Sequence, residues 1–191
     1  MHKQTATKSN LDMQIVVIGP SKCGKTSLLT KYTKNTFTET YKKSSIQENY
    51  FKTVTLNYQS KKVHFIEFNS EYVQVYKENI SLYKVTAALI VVCDASNPDS
   101  LNAALEINNK FNVELPGSKK KLCILLETKS DLVPKKTKEE EKKFKEIAIQ
   151  NGFLDGFSVS AKNGNNIQKA IELLLTKRLE TPIAPIMNYC K

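Results

Sequence analysis

Near its start the chain carries the stretch Ile15-Val-Val-Ile-Gly-Pro-Ser-Lys-Cys-Gly-Lys-Thr26, an apolar run followed by a loop of the form G-x-x-x-x-G-K-[ST]. The apolar run predicts a buried β-strand, and the residues after Lys25 predict a helix. In this arrangement the backbone N–H groups of the loop surround a nucleotide's phosphates, and the positive end of the helix dipole faces the same anion. We therefore expect phosphate binding by Ser21, Lys22, Cys23, Gly24, Lys25, Thr26 and Ser27.

Two side chains of this loop have chemistry of their own. Lys25 supplies a positive charge to the terminal phosphates, and the hydroxyl of Thr26 can coordinate Mg²⁺. The alternative is a glycine-containing β–α turn with a chance lysine. The predicted strand before the loop and the predicted helix after it argue against that alternative.

Composition indicates one globular domain. The 191 residues are 40% hydrophobic and 25% charged, which is ordinary for a soluble chain. The net charge of +10 would suit nucleic acid, but the lysines of residues 135–145 alternate with glutamates, as on a solvated helix face. We expect no nucleic-acid partner. The four cysteines lack metal-ligand spacing and are expected to be free thiols.

Strand and helix patterns alternate along the chain, which predicts an α/β fold with a mainly parallel sheet. Strands are predicted at Met13–Ile18, Tyr50–Leu56, Lys62–Phe68, Ala87–Cys93, Leu122–Leu126 and Gly156–Ser160, with a hairpin turn at Asn57–Lys61. Helices are predicted after the phosphate loop, at Tyr72–Tyr83, at Pro98–Phe111, around Phe144 and from Ile167 to Leu175. We expect one domain over residues 13–180, a flexible segment at 1–12 and an irregular tail at 181–191.

Two further motifs follow later strands of the predicted sheet. Thr128-Lys-Ser-Asp131 comes after the strand at 122–126, and Ser160-Ala-Lys162 ends the strand at 156–160. Together with the phosphate loop, and in this order, they resemble the small GTPases of the Ras superfamily. The resemblance is strongest to the Rab branch, whose segments read [NT]-K-x-D and S-A-K, and it covers about Met13 to Leu179. It implies a three-layer P-loop NTPase fold, a six-stranded sheet with helices on both faces, and GTP or GDP with Mg²⁺ as ligands.

The carboxylate of Asp131 is the candidate for reading the base. It can accept hydrogen bonds from guanine N1–H and from the 2-amino group, neither of which adenine offers. An unpaired, desolvated carboxylate costs ~1.5–3 kcal/mol or more, which is enough to select guanine. The resemblance implies that Lys129 lies along the base, that the Ala161 N–H donates to guanine O6, and that Ser160 holds Asp131. It assigns the rest of the base site to Phe37, Thr128 and Lys162.

Switch I departs from the family pattern. The family uses a threonine there as a Mg²⁺ ligand, whereas this chain has Ser44 and Ser45. The neighbouring Ile46 favours Ser45 and counting from Lys25 favours Ser44, and either hydroxyl can coordinate the metal. We take Ser45, with Thr26, as the metal ligands.

Switch II departs further from its family pattern, D-x-x-G-Q. One register puts Glu67 at the Asp position, Ser70 at the Gly and Glu71 at the water-orienting Gln. A second register, counted from the following strand, puts Phe68 at the Asp position and Tyr72 at the Gln. Neither restores the motif, so the sequence names Glu71 or Tyr72 at the catalytic position and predicts slow or absent hydrolysis.

These observations predict a Rab-like GTP-binding protein whose main output is binding to effector or complex-subunit proteins. Cys190 is one residue from the end and does not fit C-a-a-X, so we expect no direct lipid anchor and a cytoplasmic location. Residues 76–83 resemble Rab-like subunits of intraflagellar transport, which implies a ciliary location. The alternatives are an active regulatory Rab-type GTPase of vesicle traffic and a scaffold that has lost nucleotide binding.

Overall fold

Strands and helices alternate throughout the parts of the chain that the computed structural model describes, which are residues 13–40, 47–69, 86–112 and 121–181. The strands are β1 Met13–Ile18, β2 Gln47–Leu56, β3 Gln59–Phe68, β4 Ala88–Asp94, β5 Leu122–Thr128 and β6 Gly156–Ser158. The helices in these parts are α1 Lys25–Lys34, α2 Ser100–Asn112, α3 Lys138–Gln150 and α4 Ile167–Glu180. None of the described helices is long and apolar enough to cross a membrane.

The six strands form one sheet in the order β2-β3-β1-β4-β5-β6. β2 and β3 are antiparallel, and the other neighbours are parallel. The prediction of a six-stranded, mostly parallel sheet is therefore confirmed. Because the carboxyl ends of the parallel strands meet at one edge, the loops after β1, β3, β5 and β6 gather there.

Side chains of β1 alternate between two cores, one on each face of the sheet. Ile15 and Val17 are fully buried in a cluster that includes Leu28 of α1 and Leu174 of α4. Val16 and Ile18 are buried in a second cluster with Phe144 of α3. The two cores give the three-layer arrangement, with helices on both faces.

The β2–β3 hairpin differs from its prediction. The turn consists of Asn57 and Tyr58 alone, both with positive φ (48° and 62°), which is the backbone of a two-residue hairpin loop. The predicted five-residue turn was wrong because Gln59 and Ser60 are polar, yet they pair with Leu56 and Thr55. The predicted helix at Tyr72–Tyr83, the segment 1–12 and residues 182–191 lie outside the described residues.

Candidate functional site

A cavity of about 930 Å³ lies at the carboxyl edge of the sheet. This volume is within the range of sites for small molecules and cofactors. Most of the residues that the sequence predicts to bind the nucleotide line the cavity: Ser21, Lys22, Gly24, Lys25, Thr26, Ser27, Phe37, Thr128, Lys129, Asp131, Ala161 and Lys162. Two others, Cys23 and Ser160, are buried behind its wall. Ser44, Ser45, Glu71 and Tyr72 lie outside the described residues.

The phosphate loop brings a buried cation to the cavity. Lys25 is only 6% exposed, and its ammonium donates hydrogen bonds to the carbonyls of Gly19 at 3.0 Å and Pro20 at 2.8 Å. Gly24 begins the turn into α1 with a φ of 92°, a left-handed conformation that favours glycine. A Cβ at Gly24 would come within 3.2 Å of the Thr128 hydroxyl, so the loop has little room for a side chain there.

Thr128 ties the phosphate loop to the centre of the sheet. Its hydroxyl lies 2.5 Å from the Cys23 carbonyl and 3.0 Å from the Cys93 carbonyl. The Cys23 side chain is 1% exposed, and burial raises the pKa of its thiol to about 11. Cys23 therefore stays a neutral packing residue at pH 7, and only its backbone can contribute to phosphate binding.

The base end of the cavity holds a fixed carboxylate. The hydroxyl of Ser160, which is fully buried, donates to Asp131 Oδ1 at 2.5 Å. The loop that carries Asp131 is joined to the end of β6 by a hydrogen bond from the Ser130 N–H to the Val159 carbonyl. This is the arrangement that the family resemblance implies, in which Ser160 orients Asp131.

Lys129 has a partner that the sequence analysis missed. Its ammonium lies 2.5 Å from Asp94 Oδ2 at the end of β4. Burial alone would raise the pKa of Asp94, but hydrogen bonds from Lys129 and Ser96 and the charge of Lys129 outweigh it and lower the pKa. The sequence shows Asp94 only as the start of a turn before α2. No motif links it to Lys129, which is 35 residues away.

The rim of the base end is closed by one exposed ion pair and one aromatic ring. Lys162 lies 3.1 Å from Glu39, and both side chains are more than half exposed. Phe37 is partly buried against the core on the α1 face of the sheet. Glu39 is a second residue that the sequence analysis missed, because it lies in a polar stretch without a motif.

At the other end of the cavity, the hydroxyl of Thr26 donates to Glu67 Oε1 at 2.8 Å. Glu67 is 2% exposed and lies beside Val17 in the sheet register. Phe68 points to the opposite face, where it packs in the second core. Because successive residues of a strand face opposite sides, only Glu67 reaches Thr26. The contact with Thr26 therefore favours the register with Glu67 at the Asp position, and the choice between Glu71 and Tyr72 at the Gln position stays a prediction.

Tyr50 and Glu48 of β2 complete this end of the cavity. The Tyr50 hydroxyl lies 2.9 Å from Glu48 Oε2 and 3.3 Å from Glu67 Oε2. Burial and then the nearby carboxylates raise the pKa of Tyr50, so its hydroxyl keeps its proton at neutral pH. The contact between Tyr50 and Glu67 depends on the register between β2 and β3, which no motif in the sequence predicts.

The donor set fits a magnesium nucleotide. The ammonium of Lys25 and the N-terminus of α1 suit phosphates, and the hydroxyl of Thr26 beside a carboxylate suits Mg²⁺. The carboxylate of Asp131 suits the N–H groups of guanine. A phosphate loop between β1 and α1 at this edge of a parallel sheet defines the class of P-loop nucleotide-binding proteins.

Comparison with known proteins narrows this class to one family. A sequence model described as the Ras family matches residues 14–180, and the chain belongs to this family. It is similar to the Ras-related protein RabY of Dictyostelium discoideum, with 26% identity over 90% of this chain and 73% of RabY. It is also similar to human Ras-related protein Rab-7L1 (22% identity, 92% of this chain, 86% of the relative). The Ypt/Rab-type GTPase YPT7 of Saccharomyces cerevisiae is 23% identical, over 92% of this chain and 85% of YPT7. The chain is therefore a Rab-like small GTPase of the Ras superfamily.

Proposed function

We propose that the protein binds guanine nucleotide with Mg²⁺ and acts as a nucleotide-dependent interaction subunit in intracellular transport, with slow or absent intrinsic GTP hydrolysis. One observation carries the binding part of this proposal. The carboxylate of Asp131, held by Ser160, faces the same cavity as the Lys25 ammonium and the Thr26 hydroxyl. A base-reading group and a phosphate-binding group in one cavity are what a guanine nucleotide requires.

The proposal of slow hydrolysis rests on the contact between Glu67 and Thr26. With Glu67 at the Asp position, the sequence has Ser70 and Glu71 where the family has Gly and Gln. A carboxylate at the Gln position repels the γ-phosphate and is a poor substitute for the amide that orients the attacking water. Even intact family members hydrolyse GTP at only ~10⁻⁴ s⁻¹ without a partner's arginine, so this chain should be slower.

The transport role is the broader family's role, extended to this chain. The resemblance of residues 76–83 to subunits of intraflagellar transport favours a ciliary complex, in which the partner is held by protein contacts. A second candidate is an active regulatory GTPase of vesicle traffic. The similarity to a relative described as a Ypt/Rab-type GTPase favours this second candidate.

The nucleotide that copurifies with the protein separates these functions. The purified protein is denatured, and the released nucleotide is resolved by ion exchange. GTP supports the slow-hydrolysis proposal, and GDP supports the active GTPase. The absence of nucleotide from a folded, monodisperse protein would instead support a scaffold that has lost nucleotide binding.

Single-turnover hydrolysis tests the rate directly. Protein loaded with γ-labelled GTP should release phosphate more slowly than an intact Rab protein measured beside it. The matched variant is Glu71→Gln, which restores the neutral amide and should raise the rate. A wild-type rate equal to that of the intact Rab would contradict the proposal of slow hydrolysis.

The ciliary location is tested by imaging a tagged protein in ciliated cells. Its absence from cilia would contradict the ciliary location and would leave the rest of the proposal unchanged.

A further inference from the structure

The end of the cavity around Thr26 and Glu67, which we call the metal end, contains two carboxylates on neighbouring strands. Glu48 of β2 and Glu67 of β3 are directly opposite each other in the antiparallel register. Like charges in this position destabilise a strand pair. The hydroxyl of Tyr50 lies between them, 2.9 Å from Glu48 Oε2 and 3.3 Å from Glu67 Oε2. Tyr50 therefore has one proton to donate and two charged acceptors for it.

Glu67 needs more restraint than the aspartate it replaces, because its side chain has one more rotatable bond. In the structure both of its carboxylate oxygens have neighbours. Oε1 accepts from the Thr26 hydroxyl at 2.8 Å, and Oε2 faces Tyr50. A carboxylate contacted at both oxygens is fixed in its plane, so the Tyr50 hydroxyl helps to hold Oε1 at Thr26.

We propose that Tyr50 is a positioning residue for the Mg²⁺ site. Its hydroxyl donates a hydrogen bond either to Glu48 or to Glu67. When the hydroxyl donates its hydrogen bond to Glu67, the ionised carboxylate is fixed beside Thr26 and the metal site is complete. When the hydroxyl donates to Glu48 instead, Glu67 loses this restraint and the affinity for Mg²⁺ falls. This inference rests on the proposed function, since Thr26 is the metal ligand there.

The test is the release of a fluorescent GDP analogue from loaded protein, measured over a series of Mg²⁺ concentrations and in excess EDTA. For Tyr50→Phe we expect the Mg²⁺ concentration that half-maximally slows release to rise about three- to tenfold, the equivalent of one hydrogen bond. The release rate in EDTA should stay within about twofold, because Tyr50 acts through the metal and not through the nucleotide.

Tyr32→Phe is the matched control. Tyr32 is 5% exposed and packs edge-on against Phe65, and its buried hydroxyl has no hydrogen-bond partner among the described residues. Removal of this hydroxyl should change neither the Mg²⁺ dependence nor the rate in EDTA. The control separates the loss of a buried tyrosine hydroxyl in general from the loss of the one beside Glu67.

Glu48→Ala, alone and combined with Tyr50→Phe, tests whether Glu48 and Glu67 compete for the hydrogen bond from Tyr50. Removal of Glu48 takes away a negative charge, which weakens cation binding and relieves the repulsion of Glu67, and in the Tyr50→Phe background these are its only effects. When Tyr50 is present, its hydroxyl can then donate only to Glu67. The change in Mg²⁺ affinity caused by Glu48→Ala should therefore be more favourable in the wild-type background than in the Tyr50→Phe background, by about threefold or more. If Glu48→Ala changes the Mg²⁺ dependence equally in the two backgrounds, the proposed competition for the Tyr50 hydrogen bond is wrong.

The remaining outcomes are distinguishable. If Tyr50→Phe speeds release equally in Mg²⁺ and in EDTA, Tyr50 is merely structural and the inference is wrong. If Tyr50→Phe matches the wild type, while the wild type retains nucleotide in a Mg²⁺-dependent manner, the inference is wrong and the proposed function stands. A wild type that retains no guanine nucleotide at any Mg²⁺ concentration would overturn both.

Discussion

The two ends of the cavity differ in how closely they follow the residues typical of the Ras family. At the base end, Asp131 and Ser160 match the motifs and make the contact that the family resemblance implies. At the metal end, neither switch motif of the family is intact, and Glu67 contacts Thr26 and shares the Tyr50 hydroxyl with Glu48. Lys25 and the phosphate loop lie between the two ends.

The difference indicates that nucleotide recognition and nucleotide turnover are physically separable. Recognition needs a few fixed donors and acceptors, and the buried hydroxyls of Thr128 and Ser160 hold them through short contacts. Turnover also needs a water molecule oriented by an uncharged group. A chain can therefore lose the second requirement and keep the first, as we propose here.

Replacement of the residue that serves both ends should have the largest effect. Lys25→Ala removes the buried ammonium, so the purified protein should contain no nucleotide and should melt at a lower temperature. A ligand at 1,000 times its dissociation constant contributes ~4 kcal/mol to stability, and this contribution would be lost. Nucleotide content and the melting temperature are the measurements.

The control for this variant is Lys169→Ala, which removes an exposed lysine of α4 that does not line the cavity. It should keep the nucleotide and the wild-type melting temperature. The Lys25→Ala protein should melt at or somewhat below the temperature of nucleotide-stripped wild type, because it lacks the ligand and also the hydrogen bonds from Lys25 to Gly19 and Pro20. Full nucleotide content in Lys25→Ala would contradict the role of this lysine.

Asp131→Asn should affect the base end alone. An amide in place of the carboxylate loses a charge-assisted acceptor, which predicts an affinity for GDP lower by ~10- to 100-fold and a relative gain for xanthosine diphosphate. Calorimetry with both nucleotides measures the change. Asp155→Asn, at a partly exposed aspartate paired with Lys145, is the control. Unaltered GDP affinity in Asp131→Asn would show that this carboxylate does not read the base.

The same variant also sharpens the separation of the two ends. Once the weaker affinity is taken into account, the Mg²⁺ dependence of nucleotide release in Asp131→Asn should match that of the wild type. A shift comparable with that expected for Tyr50→Phe would mean that the two ends are coupled through the phosphate loop.

The base end could be predicted from the sequence because its residues occur in short motifs. Each motif places its side chains directly after a strand, so the sheet edge brings them together without further information. The fold was predictable for a similar reason, since buried strands such as Ala88–Asp94 are almost entirely apolar, here from Ala88 to Cys93. The contacts that could not be predicted join residues far apart in sequence, such as Asp94 and Lys129.

The metal end could not be resolved from the sequence because it depends on strand register. Glu67 and Phe68 are adjacent, and a shift of one residue exchanges the face of the sheet to which each points. Counting from one side favoured Glu67 and counting from the other favoured Phe68. The structure favours Glu67, because its carboxylate accepts a hydrogen bond from Thr26 whereas Phe68 packs in the core on the other face of the sheet.

Asp94 predicts an acid sensitivity of the base end. Its pKa in the folded protein is lowered, so the ion pair with Lys129 stabilises the fold fully above the ordinary aspartate pKa and is lost as pH falls through the lowered value. We expect GDP release to accelerate by a few-fold below about pH 4 in the wild type. In Asp94→Asn, release should already be faster at pH 7, and its pH profile should be flatter.

Glu146→Gln, which removes one partner of an exposed pair on α3, is the control for this profile. It should release GDP at the wild-type rate at every pH. If Asp94→Asn shows the same acid response as the wild type, the response belongs to other carboxylates and Asp94 does not hold Lys129 in a way that matters to the nucleotide.

The exposed pair at the rim should have the smallest effect. Glu39 and Lys162 lie 3.1 Å apart, but water surrounds both and salt screens them. Glu39→Gln should therefore speed GDP release by less than about threefold at low salt, and by nothing measurable near ~0.5 M salt. Lys162→Gln should give the same small change, and the double variant should give no more than either alone. A larger change that persists in salt would mean that this rim, and not the buried contacts of Asp131, limits the escape of the base, and the contrast between a fixed base end and an altered metal end would have to be redrawn around residues 35–40.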